Sequence, residues 1–282
     1  MSATAEHYIH SYAREEQARL IRQARFLAPW VQSGVDFSGC GEVLELGCGV
    51  GAQMRLLLER FPRARFTGID ISREQLQAAH VQLADEVARG RVELLEASAY
   101  RLPFADASFD AVYTYWVLEH LGNPLALLGE ARRVLRPGGL LVCTEVFDSG
   151  LYTWPAQPDL TAYWRAFTAL QAELGGDPDV GVKLAALFSL ARLESIELRD
   201  VSPQMDARMA VRAERQAFVA YWRDLLLSGA EKLLLHGRET VDGIAAMERA
   251  FADLANDPDA VYRYGVFQAF GRKPSATESA AP

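Results

Sequence analysis

Apolar positions follow two different periods along the chain, and each change of period marks a new element. In "YIHSYAREEQARLIRQARFLAPWVQSG", Leu20, Ile21, Ala24 and Leu27 fall on one helical face, and Pro29 and Gly34 close the run. The spacing predicts an amphipathic helix over about residues 8–28. Short apolar runs follow. "EVLEL", "ARFTGID", "RVELLEAS", "FDAVYTYW" and "LLVCTEVF" read as strands. "AQMRLLLERF", "REQLQAAHVQLADEVARG" and "NPLALLGEARRVLR" read as helices. Ser72 is an N-cap type of residue, Pro124 suits a first helical turn, and "PGG" stops the last helix. Strands alternating with helices predict a parallel sheet covered on both faces.

Beyond Phe147 the pattern changes. "LTAYWRAFTALQAEL" and "VGVKLAALFSLARL" are helical in period, and "SIELRDVSP" is a strand. A long helical stretch runs from about Ala210 to Leu254, and "AVYRYGVFQAFGRK" alternates as a closing strand. About fifty residues between two consecutive strands form an insertion, about residues 204–258, of the size that serves as a lid or binding segment. The tail "KPSATESAAP" is small and polar, so residues 275–282 are expected to be disordered beyond a single domain spanning 1–274.

Composition narrows the class without naming it. Half of the 282 residues are hydrophobic and 23% are charged, an ordinary globular balance that needs no disulfide or metal to hold a core. Cys40, Cys48 and Cys143 form no ligand spacing and no even framework, and no metal constellation is visible, so a reduced, cytoplasmic setting is expected. A net charge of −8 without a basic run argues against a nucleic-acid partner. No apolar run reaches membrane-spanning length, so no membrane partner is expected.

The candidate chemistry starts at "VLELGCGVGAQ", where a buried strand ends in an acid and Gly47, Gly49 and Gly51 follow at every second position. Such a turn lets something approach bare backbone beyond the carboxyl ends of the strands. A dinucleotide pyrophosphate and S-adenosylmethionine both use a turn of this kind, and "GCGVGA" satisfies G-x-G-x-x-A, so the glycines alone leave both open.

The surroundings separate the two. "ELGCGVG" with Glu45, Asp70 closing the second strand, "ASAYRLPFADASFDAVYTYWVLEHL" and "EARRVLRPGGLLV" occur in order. Together they resemble the class I S-adenosylmethionine-dependent methyltransferases, in the branch that includes quinone-biosynthesis and many small-molecule enzymes. The resemblance covers about Ser11 to Phe147. It implies a Rossmann-like, seven-stranded, mostly parallel sheet with helices on both faces and an antiparallel last strand, here with the helical insertion between the last two strands. By the same resemblance Gly47, Gly49 and Gly51 pass under the cofactor, Glu45 orients that loop or meets the methionine ammonium, Asp70 binds the ribose, and Ile71 packs on the adenine. Ser98 and Ala99 stand where the family often carries Asp-Ala at the adenine edge, so a weaker hydroxyl acceptor replaces a carboxylate. Tyr115 and Trp116 end the fourth strand beside the methionine part, and Tyr12, Arg19 and Gln23 reach for its carboxylate from the N-terminal helix. Cys48 is a small packed side chain rather than a nucleophile.

Methyl transfer from a sulfonium needs alignment and exclusion of water, and a base only when the acceptor must lose a proton. His120 in "LEHL" is the candidate, with His7 and His10 as further ones. The acceptor pocket is expected outside the shared core, from Tyr152, Trp154, Tyr221 and Trp222, with Tyr163 and Trp164 nearby in sequence. Lys183 stands where relatives often have arginine. The expected partner is a small-molecule acceptor methylated on O, N or C, by a monomer or homodimer whose insertion is a cover or a dimer arm. A NAD-type oxidoreductase, a non-catalytic cofactor-binding module, and a protein or RNA acceptor are the competing readings.

Overall fold

The structure, a computed structural model, describes residues 14–275. The chain alternates as read. Helix α1 (Arg14–Val31) precedes β1 (Glu42–Leu46), α2 (Ala52–Arg60), β2 (Arg65–Asp70), α3 (Arg73–Gln82), α4 (Ala84–Ala88), β3 (Val92–Glu96), β4 (Phe109–Tyr115) and α5 (Pro124–Val134). Next come β5 (Leu135–Trp154), α6 (Pro158–Glu173), α7 (Leu184–Leu190), β6 (Glu194–Asp200) and β7 (Gln204–Met205). The last elements are α8 (Arg212–Leu227), α9 (Ala230–Leu235), α10 (Val241–Asn256) and β8 (Val261–Arg272).

The strands form one sheet in the order β3-β2-β1-β4-β5-β8-β6, with the two-residue β7 pairing the far end of β8. β1 to β5 pair in parallel, and β8 lies antiparallel between β5 and β6. This is the Rossmann-like architecture expected, seven strands along the main path with β7 added beside it.

Alternation within β1 sends neighbours to opposite faces. Leu44 and Leu46 join α5 and α7 in one apolar cluster, while Val43 joins Met54, Leu57 and Leu58 of α2 in another. The caps explain where helices begin. Ser72 Oγ accepts the Gln75 N–H ahead of α3, and Asn123 Oδ1 accepts the Ala126 N–H ahead of α5, which has Pro124 in its first turn.

Three boundaries differ from the sequence expectation. α1 continues through Pro29, in its last turn, to Val31. The segment 73–90 breaks at Leu83, whose side chain is buried and lies against the Gly51 backbone. β5 runs past Phe147 to Trp154, since β8 continues beside it and pairs Tyr152 with Arg263 and Trp154 with Val261. The polar "DSG" that hides this continuation from the hydropathy pattern is an irregularity in the pairing.

The insertion contains three helices, and its apolar face is buried within the same chain. Phe218, Val219, Trp222, Leu225 and Leu226 of α8 keep helical spacing. They pack with Tyr163 and Phe167 of α6, Met247 and Phe251 of α10, Leu27 and Val31 of α1, and Tyr262 and Tyr264 of β8. The Tyr163 hydroxyl donates to the Leu226 carbonyl at 2.9 Å, which ties α6 to the end of α8.

Candidate active site

The carboxyl ends of β1, β2 and β4 open into a cavity of about 670 Å³. Its floor is the turn after β1. Gly47 and Gly49 have φ of 66° and 51°, the left-handed region that costs a side-chain-bearing residue most. At Gly47 a Cβ would stand 2.7 Å from Val117, whereas at Gly49 it would meet nothing within 4 Å. Gly47 is therefore needed for packing, and Gly49 faces the open cavity. Gly51, also at positive φ, leads directly into α2.

Two acids face each other across this turn. Asp70 accepts the Gly49 N–H on Oδ2 at 2.9 Å and the Ser72 N–H on Oδ1 at 2.8 Å. Burial raises its pKa, and those backbone bonds oppose the rise. Glu45 is buried, and its Oε2 has no partner. Burial first, and Asp70 second, push its pKa up to about 8. A buried carboxylate oxygen without a donor is costly unless a cation completes it. Cys48 sits in the same wall with its thiol pushed up by burial, which suits a packed side chain and not a thiolate nucleophile.

The opposite wall is the segment after β4. The Tyr115 and Trp116 rings stack at 5.1 Å and 11°. Trp116 adopts φ 53°, and its N–H donates to Thr144 O at 2.9 Å. The turn that follows is gripped by Glu145 of β5, fully buried, which accepts N–H bonds from Val117 at 3.0 Å, Leu118 at 2.8 Å and Glu119 at 3.4 Å. Burial, reinforced by the Glu119 charge, raises the pKa of Glu145 to about 8. Glu119 Oε2 accepts from Gln171 Nε2 at 2.6 Å, and Oε1 stands 3.7 Å from His120 Nε2. Leu174 and Gly175, at the end of α6, close the cavity near His120.

α1 forms the remaining side through Arg19, Leu20, Gln23 and Ala24. Arg19 donates to both oxygens of Glu16, at 2.5 and 2.8 Å, and to Gln23 Oε1 at 2.6 Å. α1 thus offers a largely neutralised ion pair to the cavity.

Glu45, Gly47, Gly49, Asp70, Ile71, Ser98, Ala99, Tyr115, Trp116, Arg19, Gln23 and His120 all line this one cavity, whereas Gly51, expected to pass under the cofactor, does not border it and instead packs against Leu83. Tyr12, like His7 and His10, lies outside the described residues. The expected acceptor aromatics require correction. Tyr152 and Trp154 are 55% and 52% exposed on the extension of β5. Trp222 is completely buried, and Tyr221 packs against the same helical core. None of the four borders the cavity, and no residue of the insertion lines it. The insertion, expected as a cover over the acceptor side or a dimer arm, thus supplies no side chain to the cavity. Its apolar face packs against α1, α6 and β8, in a cluster that Tyr115 and Trp116 join from the cavity wall.

Sequence reading passed over Gln53 and Gln75, which line the cavity with buried amide atoms that have no partner, and Tyr100, Glu119 and Gly175. Glu119 was legible beside His120 in "LEHL", whereas Gly175 arrives only through the packing of α6. Among the described residues no cluster of His, Cys, Asp or Glu could hold a metal ion.

Comparison with known proteins adds an independent line. Residues 44–143 match a family described as "Methyltransferase domain". Methyltransferase GfsG of Streptomyces halstedii is 33% identical over 171 residues, 60% of this chain and 59% of its own length. O-methyltransferase rstn1 of Aspergillus nomiae is 31% identical over 160 residues, 56% of this chain and 67% of its own. The Haemonchus contortus phosphoethanolamine N-methyltransferase 2, solved with phosphomonomethylethanolamine and S-adenosylhomocysteine, shares the fold at a TM-score of 0.55 and 16% identity, over 90% of this chain and 53% of that one.

Proposed function

The chain belongs to the class I S-adenosylmethionine-dependent methyltransferases, and from that premise we propose that it methylates a small molecule held between Trp116, His120 and the end of α6. One observation carries this reading. A single cavity joins the glycine turn and its two acids to a second wall of different chemistry, so cofactor and acceptor would meet without crossing a barrier.

The residues fit the family's cofactor. The partnerless Glu45 oxygen suits the methionine ammonium, and Asp70 suits the ribose hydroxyls through lone pairs its backbone donors leave available. The open space over Gly49 is where an adenosyl or methionine part would lie against backbone. When bound, the cofactor supplies a methyl group made electrophilic by its sulfonium. The chain's own part is to align and enclose. Tyr115 and Trp116 form a rigid wall, with the strained Trp116 backbone fixed by its bond to Thr144. Glu145 fixes the turn that presents Glu119 and His120. His120 Nε2 is the group we assign to receive a proton when the acceptor is a hydroxyl or protonated amine, with Glu119 beside it to stabilise the charged imidazole. For an acceptor that arrives neutral and nucleophilic, alignment alone is enough.

The test uses methyl-tritiated S-adenosylmethionine with fractionated extracts of small molecules, protein and RNA. Label should enter the small-molecule fraction in a His120-dependent or Trp116-dependent manner. Label confined to protein or RNA would overturn the acceptor class. Binding of S-adenosylhomocysteine without label in any fraction would favour a non-catalytic binding module. Binding of NAD in its place would overturn the cofactor assignment.

A further inference from the structure

α1 carries a stripe of side chains at positions 19, 23, 26 and 30 that serves two neighbours in turn. Arg19, Leu20, Gln23 and Ala24 line the cavity. One turn further on, the same stripe continues at three- and four-residue spacing through Phe26 and Trp30, and aromatic side chains of α8 hold it there. Phe26 stacks on Tyr221 with centroids 4.1 Å apart and planes 23° from parallel. Phe26 also meets Phe218 at 5.5 Å, and Trp30 meets Phe218 edge-on at 6.2 Å. Polar ties add to this at its C-terminal end, where Gln268 Nε2 donates to Val31 O at 2.6 Å and Gln32 Nε2 to Gln53 Oε1 at 2.7 Å. At the N-terminal half, Gln17 Nε2 reaches Glu74 O on the exposed surface at 3.4 Å. The cavity-lining turn of α1 therefore runs directly into the stretch that the α8 aromatics hold.

We infer that the insertion is a positioning brace for α1. Tyr221 and Phe218 hold the cavity face of α1 in place, so residues that never touch the cofactor set how long it stays bound. The inference rests on the cofactor assignment above. The mechanism is a population effect. The cavity is complete only while α1 is docked, and apparent affinity falls with the docked fraction. Offset stacking of Phe26 on Tyr221 gives the docking a directional contribution beyond simple burial. The Tyr221 hydroxyl is buried without a partner, so the ring, and not the phenol oxygen, carries the role.

The whole chain is assayed with S-adenosylhomocysteine as probe, by dissociation rate in stopped flow, by calorimetric Kd, and by amide hydrogen exchange over residues 19–24. Tyr221→Ala should raise the dissociation rate and Kd about tenfold, the consequence of α1 being docked about a tenth of the time. Exchange over 19–24 should accelerate with it. Tyr221→Phe should restore the wild-type rate. Phe26→Ala, which removes the same stack from the α1 side, should reproduce Tyr221→Ala and serves if that variant folds poorly. Phe251→Leu loosens the same core away from α1 and should lower Tm while leaving the dissociation rate unchanged. A Tyr221→Ala protein with wild-type dissociation and wild-type exchange in α1 would overturn the brace. So would a Phe251→Leu protein that loses binding as much as Tyr221→Ala, because the effect would then be general destabilisation. A wild-type chain that fails to bind S-adenosylhomocysteine would overturn the cofactor assignment itself, a separate result.

Discussion

The cavity wall and the helical layer behind it are both rich in aromatic side chains, yet they are built on opposite terms. At the cavity the backbone is irregular: Gly47, Gly49, Trp116 and Gly175 all take positive φ. In α8 and α10 the backbone is regular and bulk does the work, with Trp222 wholly buried against Tyr264 at 4.3 Å and Tyr262 at 5.6 Å. A tryptophan held at positive φ costs about 1–3 kcal/mol. Conformational strain together with unpaired acid marks the working surface here, and aromatic content alone does not.

The comparison breaks most visibly at Trp222. If the helical layer is core, Trp222→Ala should cost about 3–5 kcal/mol of unfolding free energy, read as a lower urea midpoint. A variant with the wild-type midpoint would put Trp222 outside the core. The matching change on the cavity side is Gly49→Val. It places a branched side chain at φ 51° and fills the space over the turn. S-adenosylhomocysteine affinity should fall at least about 100-fold, with circular dichroism close to wild type. Normal calorimetric binding by this variant would mean that the turn does not touch the cofactor.

Asp70→Ala should be milder, because the space over the turn stays open and the direct loss to binding is the ribose contact. We expect binding to weaken by about 1.5–3 kcal/mol, the range for hydrogen bonds to a charged group. Loss of the Gly49 and Ser72 N–H acceptors adds some loosening of the turn, which faster amide exchange at those two residues would report.

Glu45 sharpens the contrast through protons. Its folded pKa, about 8, lies above the ordinary 4.5, so the folded protein keeps a proton that the unfolded chain releases over that interval. This contribution to stability is full below about 4.5 and declines as pH rises to about 8. Binding a cationic ammonium beside Glu45 reverses the preference. Cofactor binding near pH 7 should therefore release up to one proton and weaken as pH falls. Calorimetry in buffers of different ionisation enthalpy measures that proton, and Glu45→Gln should remove it. An unchanged proton count in Glu45→Gln would assign the release to another group.

How much of this was legible follows the same division. The alternating strands, the existence of a closing strand, the capping by Ser72 and the glycine turn are local signals, and they survive in the structure because hydrophobic period and cap chemistry act over a few residues, whereas the antiparallel direction of that last strand came with the family resemblance. Glu45 and Asp70 were legible from their positions at strand ends. The acceptor wall was not. Tyr152, Trp154, Tyr221 and Trp222 were chosen for type and for their place outside the shared core, and neither property records which way a helix turns. α8 shows a clear apolar face in "FVAYWRDLLL", but periodicity says only that the face is buried, not whether the sheet end, another subunit or α1 and α6 bury it. Gln171, Leu174 and Gly175 reach the site or its support through α6 packing, which has no signature in the local sequence.

The smallest expected effect tests the exposed end of that misread set. Tyr152 and Trp154 sit where β5 outruns the rest of the sheet and pairs with β8, more than half exposed and away from the cavity. The backbone pairing there does not depend on either ring. Tyr152→Ala and Trp154→Ala should each change stability by no more than about 0.5 kcal/mol and leave S-adenosylhomocysteine affinity at the wild-type value. If the two rings served the acceptor from this position, methyl transfer would fall in both variants while cofactor affinity held, and the placement of the acceptor beside Trp116 and His120 would fail. If instead they formed a self-association surface, light scattering would show a smaller species in both variants. Wild-type values in all three measurements would leave the cavity wall, and not the exposed aromatics, as the place where the acceptor is held.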